Sequence, residues 1–190
     1  EAEGALWQRA ALDVLRRARA PEMKRGVVAI DPAVSTGEGA AETGIVVAGL
    51  GADGDAYVLA DLSGRYSPDG WARAAIGAYK RFGADRVIGE VNNGGDMIAA
   101  TLRAVDGNVA YRAVRASRGK RARAEPVAAL YEQGRVHHVG AFPALEDQLT
   151  GWEPGGDLPS PDRLDAAVWA LTELMLGPAT AEPRLRTLEG

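Results

Sequence analysis

The chain is 190 residues long, 46% hydrophobic and 25% charged, with a net charge of −4, which suits one globular domain with its own core and argues against a uniformly basic nucleic-acid binder. It contains no cysteine, which excludes disulfides and cysteine-ligated zinc and leaves carboxylates, carbonyls and two histidines to serve any metal. No apolar run approaches the ~20 residues of a membrane span, and the charged, helix-patterned N-terminal stretch is unlike a secretory signal, so a cytosolic location is expected.

Residues 1–20 place Leu6, Trp7, Ala10, Ala11, Val14 and Leu15 at helical spacing, and Pro21 ends that helix or kinks its exit. Residues 1–24 therefore read as a helical arm or linker. Residues 27–31, Val-Val-Ala-Ile-Asp before Pro32, are a β-rich apolar run closed by an acid, the pattern of a strand covered on both faces. A loop rich in Gly, Ser and Glu spans 33–43. A second strand (44–50), a Gly-Ala-Asp-Gly turn (51–54) and a third strand (56–61) complete an antiparallel meander.

Ser67 as N-cap and Pro68 as first helical residue start a helix that runs to 82 and stops at Gly83. A fourth strand over 86–91 carries Glu90. Gly94-Gly95-Asp96 opens a helix to 105, and 109–114 is a fifth strand. A helix over 121–133, an extended piece at 135–139 and a short helix over 142–149 follow. After a Gly/Pro loop at 152–160, Ser160-Pro161-Asp162 caps a last helix running to 176, and the tail 178–190 is expected to be loose. This order predicts an α/β domain over 25–177: a central mixed five-stranded sheet, three antiparallel strands then two parallel, flanked by helices.

The charges are unevenly spread. Arg112, Arg115, Arg118, Lys120, Arg121 and Arg123 follow one another with no acid among them, whereas acids gather elsewhere, at Asp31, Glu38, Glu42, Glu90, Asp96, Asp157, Asp162 and Asp165. A solvated loop would look the same taken alone. An acidic centre beside a basic strip also suits a protein that holds metal ions and a polyanion together.

Asp31 closes the first strand and Glu90 sits near the end of the fourth, so parallel pairing of those strands would bring both acids out at one edge. Asp162 and Asp165, three apart in the first turn of the last helix, share a face. Asp31, Glu90 and Asp162 are expected to reach a common point, with Asp165 beside them. Converging carboxylates repel and need a cation; Mg²⁺ or Mn²⁺ prefers oxygen ligands, and a pair of such ions can drive phosphodiester cleavage. Taken singly, each acid has a plainer reading. Asp31 suits an Asx turn before Pro32, and Asp162 and Asp165 suit a helix dipole.

Four blocks carry a resemblance: Val28-Ala29-Ile30-Asp31-Pro32-Ala33, Glu42-Thr43-Gly44-Ile45-Val46-Val47, Gly89-Glu90-Val91-Asn92-Asn93-Gly94-Gly95-Asp96, and Ser160-Pro161-Asp162-Arg163-Leu164-Asp165-Ala166. In this order, with 115–121 between the last two, they resemble the C-terminal nuclease domain of phage and prophage large terminase subunits over roughly 25–176. The resemblance implies a fold like RNase H and the RuvC resolvases. It implies two divalent ions, Mg²⁺ or Mn²⁺, held by Asp31, Glu90 and the Asp162/Asp165 pair, and cleavage of concatemeric double-stranded viral DNA in the host cytoplasm. Many relatives have two adjacent acids where this chain has Pro161-Asp162; Asp162 is favoured as the third ligand, with Asp165 as a second or water-bridged one.

In the whole subunit the resemblance implies an ATPase domain, a small terminase and a portal as partners. No Gly-x-x-x-x-Gly-Lys-Ser/Thr loop occurs here, so the chain is expected to be the nuclease part without the motor. Arg115, Arg118, Lys120, Arg121 and Arg123 are expected to grip phosphates without reading bases, although Glu125 or Glu132 on the next helix offers some of them a structural partner. Rival readings are a RuvC-like junction resolvase or other RNase H-like nuclease, and a non-catalytic binding module. His137-His138 would point to opposite faces of a strand and read as structural or exposed rather than as a zinc site, and Trp152 and Trp169 read as core or loop-anchoring residues.

Overall fold

A computed structural model describes residues 1–33, 42–91, 96–157 and 161–177. The apolar run beginning at Val27 lies in the first strand, β1 (Met23–Asp31), which pairs antiparallel with β2 (Gly44–Gly51); β2 pairs antiparallel with β3 (Ala56–Asp61). On its other side β1 pairs in parallel with β4 (Arg86–Glu90), and β4 in parallel with β5 (Tyr111–Val114). A sixth strand, β6 (Val136–His138), joins β3 in parallel, giving the order β5-β4-β1-β2-β3-β6. The mixed α/β sheet is thus the expected one with an extra strand. That strand lies within the extended piece expected at 135–139, but three residues are too few for alternation to announce its place in the sheet. Its backbone partners decide instead: the Ala56 amide donates to the Arg135 carbonyl and the Val139 amide to the Val58 carbonyl.

Six helices flank the sheet: α1 (Arg9–Leu15), α2 (Pro68–Arg81), α3 (Met97–Val105), α4 (Lys120–Glu132), α5 (Pro143–Gly151) and α6 (Asp162–Met175). The Ser67 hydroxyl caps α2 by accepting from the Gly70 amide at 3.1 Å, and Gly83, at φ +59°, turns the chain away after it. Asp96 caps α3 through the Ala99 amide at 3.1 Å. Gly94, Gly95, Ser160, most of the 33–43 loop and the 178–190 tail lie outside the described residues.

Adjacent strand residues face different layers, which is why the runs are apolar throughout. Val28, Ile30, Ile45, Val47 and Val87 pack under α2 and α3. Val27, Ala29, Val46, Ala48, Val58 and Ile88 pack in the opposite layer with α6, α4 and α5, where Trp152 and Trp169 also sit.

The N-terminal helix spans Arg9–Leu15 rather than twenty residues. Beyond it, pairing with the body of the protein wins over helix continuation. The Arg17 amide donates to the His138 carbonyl at 2.8 Å and its carbonyl accepts from the Gly140 amide at 2.9 Å, forming a parallel bridge. Arg16 donates two hydrogen bonds of 2.8 Å to buried Glu146, which also meets His138 Nδ1 at 2.9 Å and accepts from the Phe142 amide at 3.1 Å. Tyr131 Oη lies 2.7 Å from His138 Nε2, while His137 spans the Leu15 carbonyl and the Asp55 carboxylate at 2.8 Å each. Both histidines are buried and structural. Trp7 and Leu12 also enter the core, so this segment is packed into the domain.

Candidate metal centre and nucleic-acid surface

The parallel register of β1 and β4, Val28 with Val87 through Ile30 with Gly89, makes Asp31 and Glu90 leave the sheet together at its carboxyl edge. Both follow the parity of Ala29 and Ile88, so both face the layer of α6. The N-terminus of α6, carrying Asp162 and Asp165, lies across that edge. Its seat is Gly44, the partner of Asp31 on β2: a Cβ there would overlap the Asp162 carbonyl and stand 3.1 Å from the Ala166 Cβ. Glycine is therefore what allows the helix to approach.

The first turn of α6 is clamped by Arg163. Its Nη1 donates to Asp61 Oδ2 at 2.7 Å and its Nε to Glu42 Oε2 at 3.0 Å, tying the helix to the end of β3 and to the residue before the Thr43 bridge. The Leu164 amide donates to Gln148 Oε1 at 3.1 Å, satisfying one of the amides a helix start leaves open. Sequence reasoning did not single out Arg163 as a clamp. Its partner on β3 lies 102 residues away, and only its position inside the fourth motif block hinted at a role.

The electrostatics record the crowding of acids. Burial raises the Asp31 carboxyl, and the charges of Asp165, Asp162 and Glu90 add to it against the pull of Lys120, so that it titrates near about 7. Asp162 is raised by burial and then by Asp165, with Lys120 opposing and Glu42 adding. Lys120, the first residue of α4, places Nζ 2.9 Å from Asp165 Oδ2. Arg123, three residues on, lays its guanidinium 4.5 Å from the Trp169 ring centroid and 3.7 Å from Glu90 Oε2.

The basic strip is therefore divided. Arg115 and Arg118 are exposed. Arg121 is exposed but paired with Glu125 at 2.6 Å, the structural partner foreseen on the same helix. Lys120 and Arg123 reach into the acidic centre.

Among the described residues, no group of three or more His, Asp or Glu side chains is gathered tightly enough to hold an ion. The expected convergence of Asp31, Glu90 and Asp162 on one point is not reached. They lie close enough for the charges of Asp165, Asp162 and Glu90 to act on Asp31, and Lys120 is paired with Asp165. The donor chemistry still fits a hard divalent ion. The set is all oxygen, and a carboxyl raised by burial and then by its acidic neighbours is one that an added cation would ionise.

A mixed sheet opening with an antiparallel meander, with acids at the ends of β1 and β4 and a helix across them, defines an RNase H-like domain. The chain belongs to the terminase RNaseH-like domain family, whose model matches residues 28–174. A search among curated proteins finds no match. Solved structures share the fold at low identity. The large terminase nuclease of thermophilic phage G20c, solved with bound magnesium, superposes at a TM-score of 0.63 with 13% identity, covering 91% of this chain and 99% of that one. The nuclease domain of large terminase subunit gp2 from bacterial virus Sf6 gives 0.65 at 13% identity, covering 88% and 98%. A variant of it has been solved with manganese and beta-thujaplicinol. The yeast mitochondrial Holliday junction resolvase Ydc2 gives 0.51 at 13%, covering 88% and 84%.

Proposed function

We propose that this chain is a divalent-metal-dependent endonuclease that cuts double-stranded DNA, the nuclease part of a large terminase acting on concatemeric viral DNA. The observation that carries the reading is the meeting of Asp31 and Glu90 at one sheet edge beneath the Asp162/Asp165 turn, with Asp31 raised by burial and then by that company. Family membership and the magnesium- and manganese-bound relatives support it.

Asp31, Glu90, Asp162 and Asp165 are the residues that would hold two Mg²⁺ or Mn²⁺ ions. Bound there, the ions would supply activation of a water and neutralisation of the leaving oxygen. The protein's own part is to fix the oxygens: β1 and β4 hold Asp31 and Glu90 side by side, while Gly44 and Arg163 hold the α6 turn against them. Arg115, Arg118, Lys120, Arg121 and Arg123 are assigned to the phosphate backbone. Arg115 and Arg118 are free to swing outward, whereas Lys120 and Arg123 serve phosphates only close to the acids, where their side chains already lie.

The organisation we assign is an N-terminal arm over 1–24 that packs onto the domain and whose last two residues open β1, the nuclease over 25–177 and a tail over 178–190. The partners are those of a large terminase, namely its ATPase domain, a small terminase and a portal, in the host cytoplasm. No helix among the described residues is long and apolar enough to cross a membrane. The resolvase likeness supports a second reading, cleavage of four-way junctions. Plasmid and linear duplex cleavage with Mg²⁺, Mn²⁺ or chelator, beside an Asp31→Ala control and a four-way junction, tests both. We expect cleavage of linear duplex, dependent on metal and lost in the control. Cleavage of the junction alone would select the resolvase reading, and unchanged cleavage by Asp31→Ala would overturn the assignment of the site.

A further inference from the structure

The α6 face of the sheet carries a second charged cluster, away from the acids. Arg25 on β1, Arg86 on β4 and Arg112 on β5 converge on a single oxygen, Glu173 Oε1 near the end of α6, at 3.4, 3.8 and 3.1 Å. Glu173 is 6% exposed, whereas the three arginine side chains are 26%, 36% and 47% exposed. One buried carboxylate thus anchors three guanidiniums and neutralises one of them. Two positive charges are in surplus, held on three strands of one rigid sheet and open to solvent on one side. Each guanidinium carries five N–H donors, and one acceptor oxygen leaves most of them for another anion.

The register places this cluster relative to the acids. Arg112 pairs with Ile88 and Val114 with Glu90, so the Arg112 level is two residues from Glu90, roughly 7 Å at ~3.3 Å per residue. Arg86 is four residues from Glu90 on the same strand, roughly 13 Å. At ~3.4 Å of rise per nucleotide on one DNA strand, those levels span about two to four nucleotides from the acidic edge. Arg123, stacked on Trp169 and reaching towards Glu90, lies in the same layer.

We infer that Arg25, Arg86 and Arg112, gathered on Glu173, form a phosphate subsite that holds the backbone of duplex DNA a few nucleotides from the acidic edge. The subsite rests on the nuclease reading and adds a direction to it. The duplex runs along the β4–β5 side of the α6 face, over side chains outside the contiguous basic strip. Glu173 sets the guanidiniums in place before DNA arrives, which lowers the ordering cost of each contact. The contacts are to phosphate and carry no base preference. The competing account is an ion-pair network that only tethers the end of α6.

Duplex affinity of the full chain, measured by fluorescence anisotropy in chelator across a series of salt concentrations, separates the two accounts. Arg86→Gln/Arg112→Gln leaves Arg25 on Glu173 and keeps the fold, which a thermal melt verifies. Its plot of log affinity against log salt should be shallower by about 1.8, at ~0.9 per lost phosphate contact. Over a fourfold rise in salt the variant should then lose roughly 12-fold less affinity than the native chain. Glu173→Gln, which keeps an acceptor oxygen in place to hold the guanidiniums while removing the negative charge, should bind duplex more tightly at low salt. A native chain that binds duplex, beside a double variant with an unchanged slope, would overturn the subsite and leave the nuclease reading standing. So would a Glu173→Gln variant that only melts earlier, with no gain in affinity. A native chain that fails to bind duplex at low salt would overturn the nuclease reading itself.

Discussion

Replacing Asp31 by Asn tests the electrostatics of the acidic edge without requiring cleavage. In the folded chain the Asp31 carboxyl titrates near about 7, against 3.8 when unperturbed. Between those values the folded chain holds a proton that the unfolded chain has lost, so stability falls as pH rises through that window. Below about 4 both states are protonated and the penalty vanishes. The difference of about 3 units corresponds to at most ~4 kcal/mol above pH 7. Residual solvent contact makes ~2 kcal/mol the working figure. Asn keeps the shape and lacks the charge. In chelator at pH 8, Asp31→Asn should therefore melt higher than the native chain by roughly 4–8 °C, at ~2–4 °C per kcal/mol for a domain of this size. At pH 5 the gap should fall to less than half, and below about 4 it should vanish. Millimolar Mg²⁺ at pH 8 should raise the native melting temperature and leave that of Asp31→Asn nearly unmoved, because the cation stabilises only the ionised site. A gap of equal size at both pH values, or a variant that melts lower at pH 8, would refute the account of repelling, half-buried carboxylates.

Other consequences can be measured directly. Arg163→Met strands the Asp61 carboxylate, 6% exposed and bonded to Arg163 at 2.7 Å, and should cost ~3 kcal/mol in urea unfolding; adding Asp61→Asn should restore part of it. Gly44→Ala forces a methyl into the Asp162 carbonyl, so it should cost ~1–3 kcal/mol and displace the α6 turn, with plasmid cleavage falling further than a thermal melt alone would explain. Burial pushes the Glu146 carboxyl up, but hydrogen bonds from Arg16, His138 and the Phe142 amide outweigh it and hold the group well below the usual carboxylate range. Its contribution to stability is complete above the ordinary value of 4.5 and is lost as pH falls below it. Glu146→Gln should flatten the acid limb of the melting profile and lower its neutral plateau.

How legible this was in sequence depended on range. Strands β1, β2 and β4 announced themselves as apolar runs because two helical layers cover them, and α2 announced itself by the Ser67-Pro68 start. Asp31 and Glu90 could be paired on paper because a strand-end acid needs only a parallel neighbour to share an edge. The Arg121–Glu125 pair could be foreseen at helical spacing. What stayed hidden joins distant residues: Arg163 to Asp61, Arg112 to Glu173 across 61 positions, and Arg25 to Glu173 across 148. The joining of β6 to the sheet and the shortness of α1 belong to the same class. Each is decided by a partner brought up by the fold, and no local propensity encodes it.

The Arg17 bridge gives the domain a mechanical handle. Arg17 is tied to the end of β6 and the turn just beyond it by two backbone hydrogen bonds, with His138 and with Gly140, and the Leu15 carbonyl sits on His137 and the Arg16 side chain on Glu146 just before it. Tension applied along the strand direction at this parallel bridge would load these bonds together, as a shear, instead of opening them one after another like a zip. Bonds that must break at once resist force far better than bonds peeled singly, because the barrier to rupture, not the equilibrium stability, sets the response to pulling. Such a pull would be shared between β6, which is paired with β3, and the short segment that leads from Arg17 directly into β1, the strand that carries Asp31.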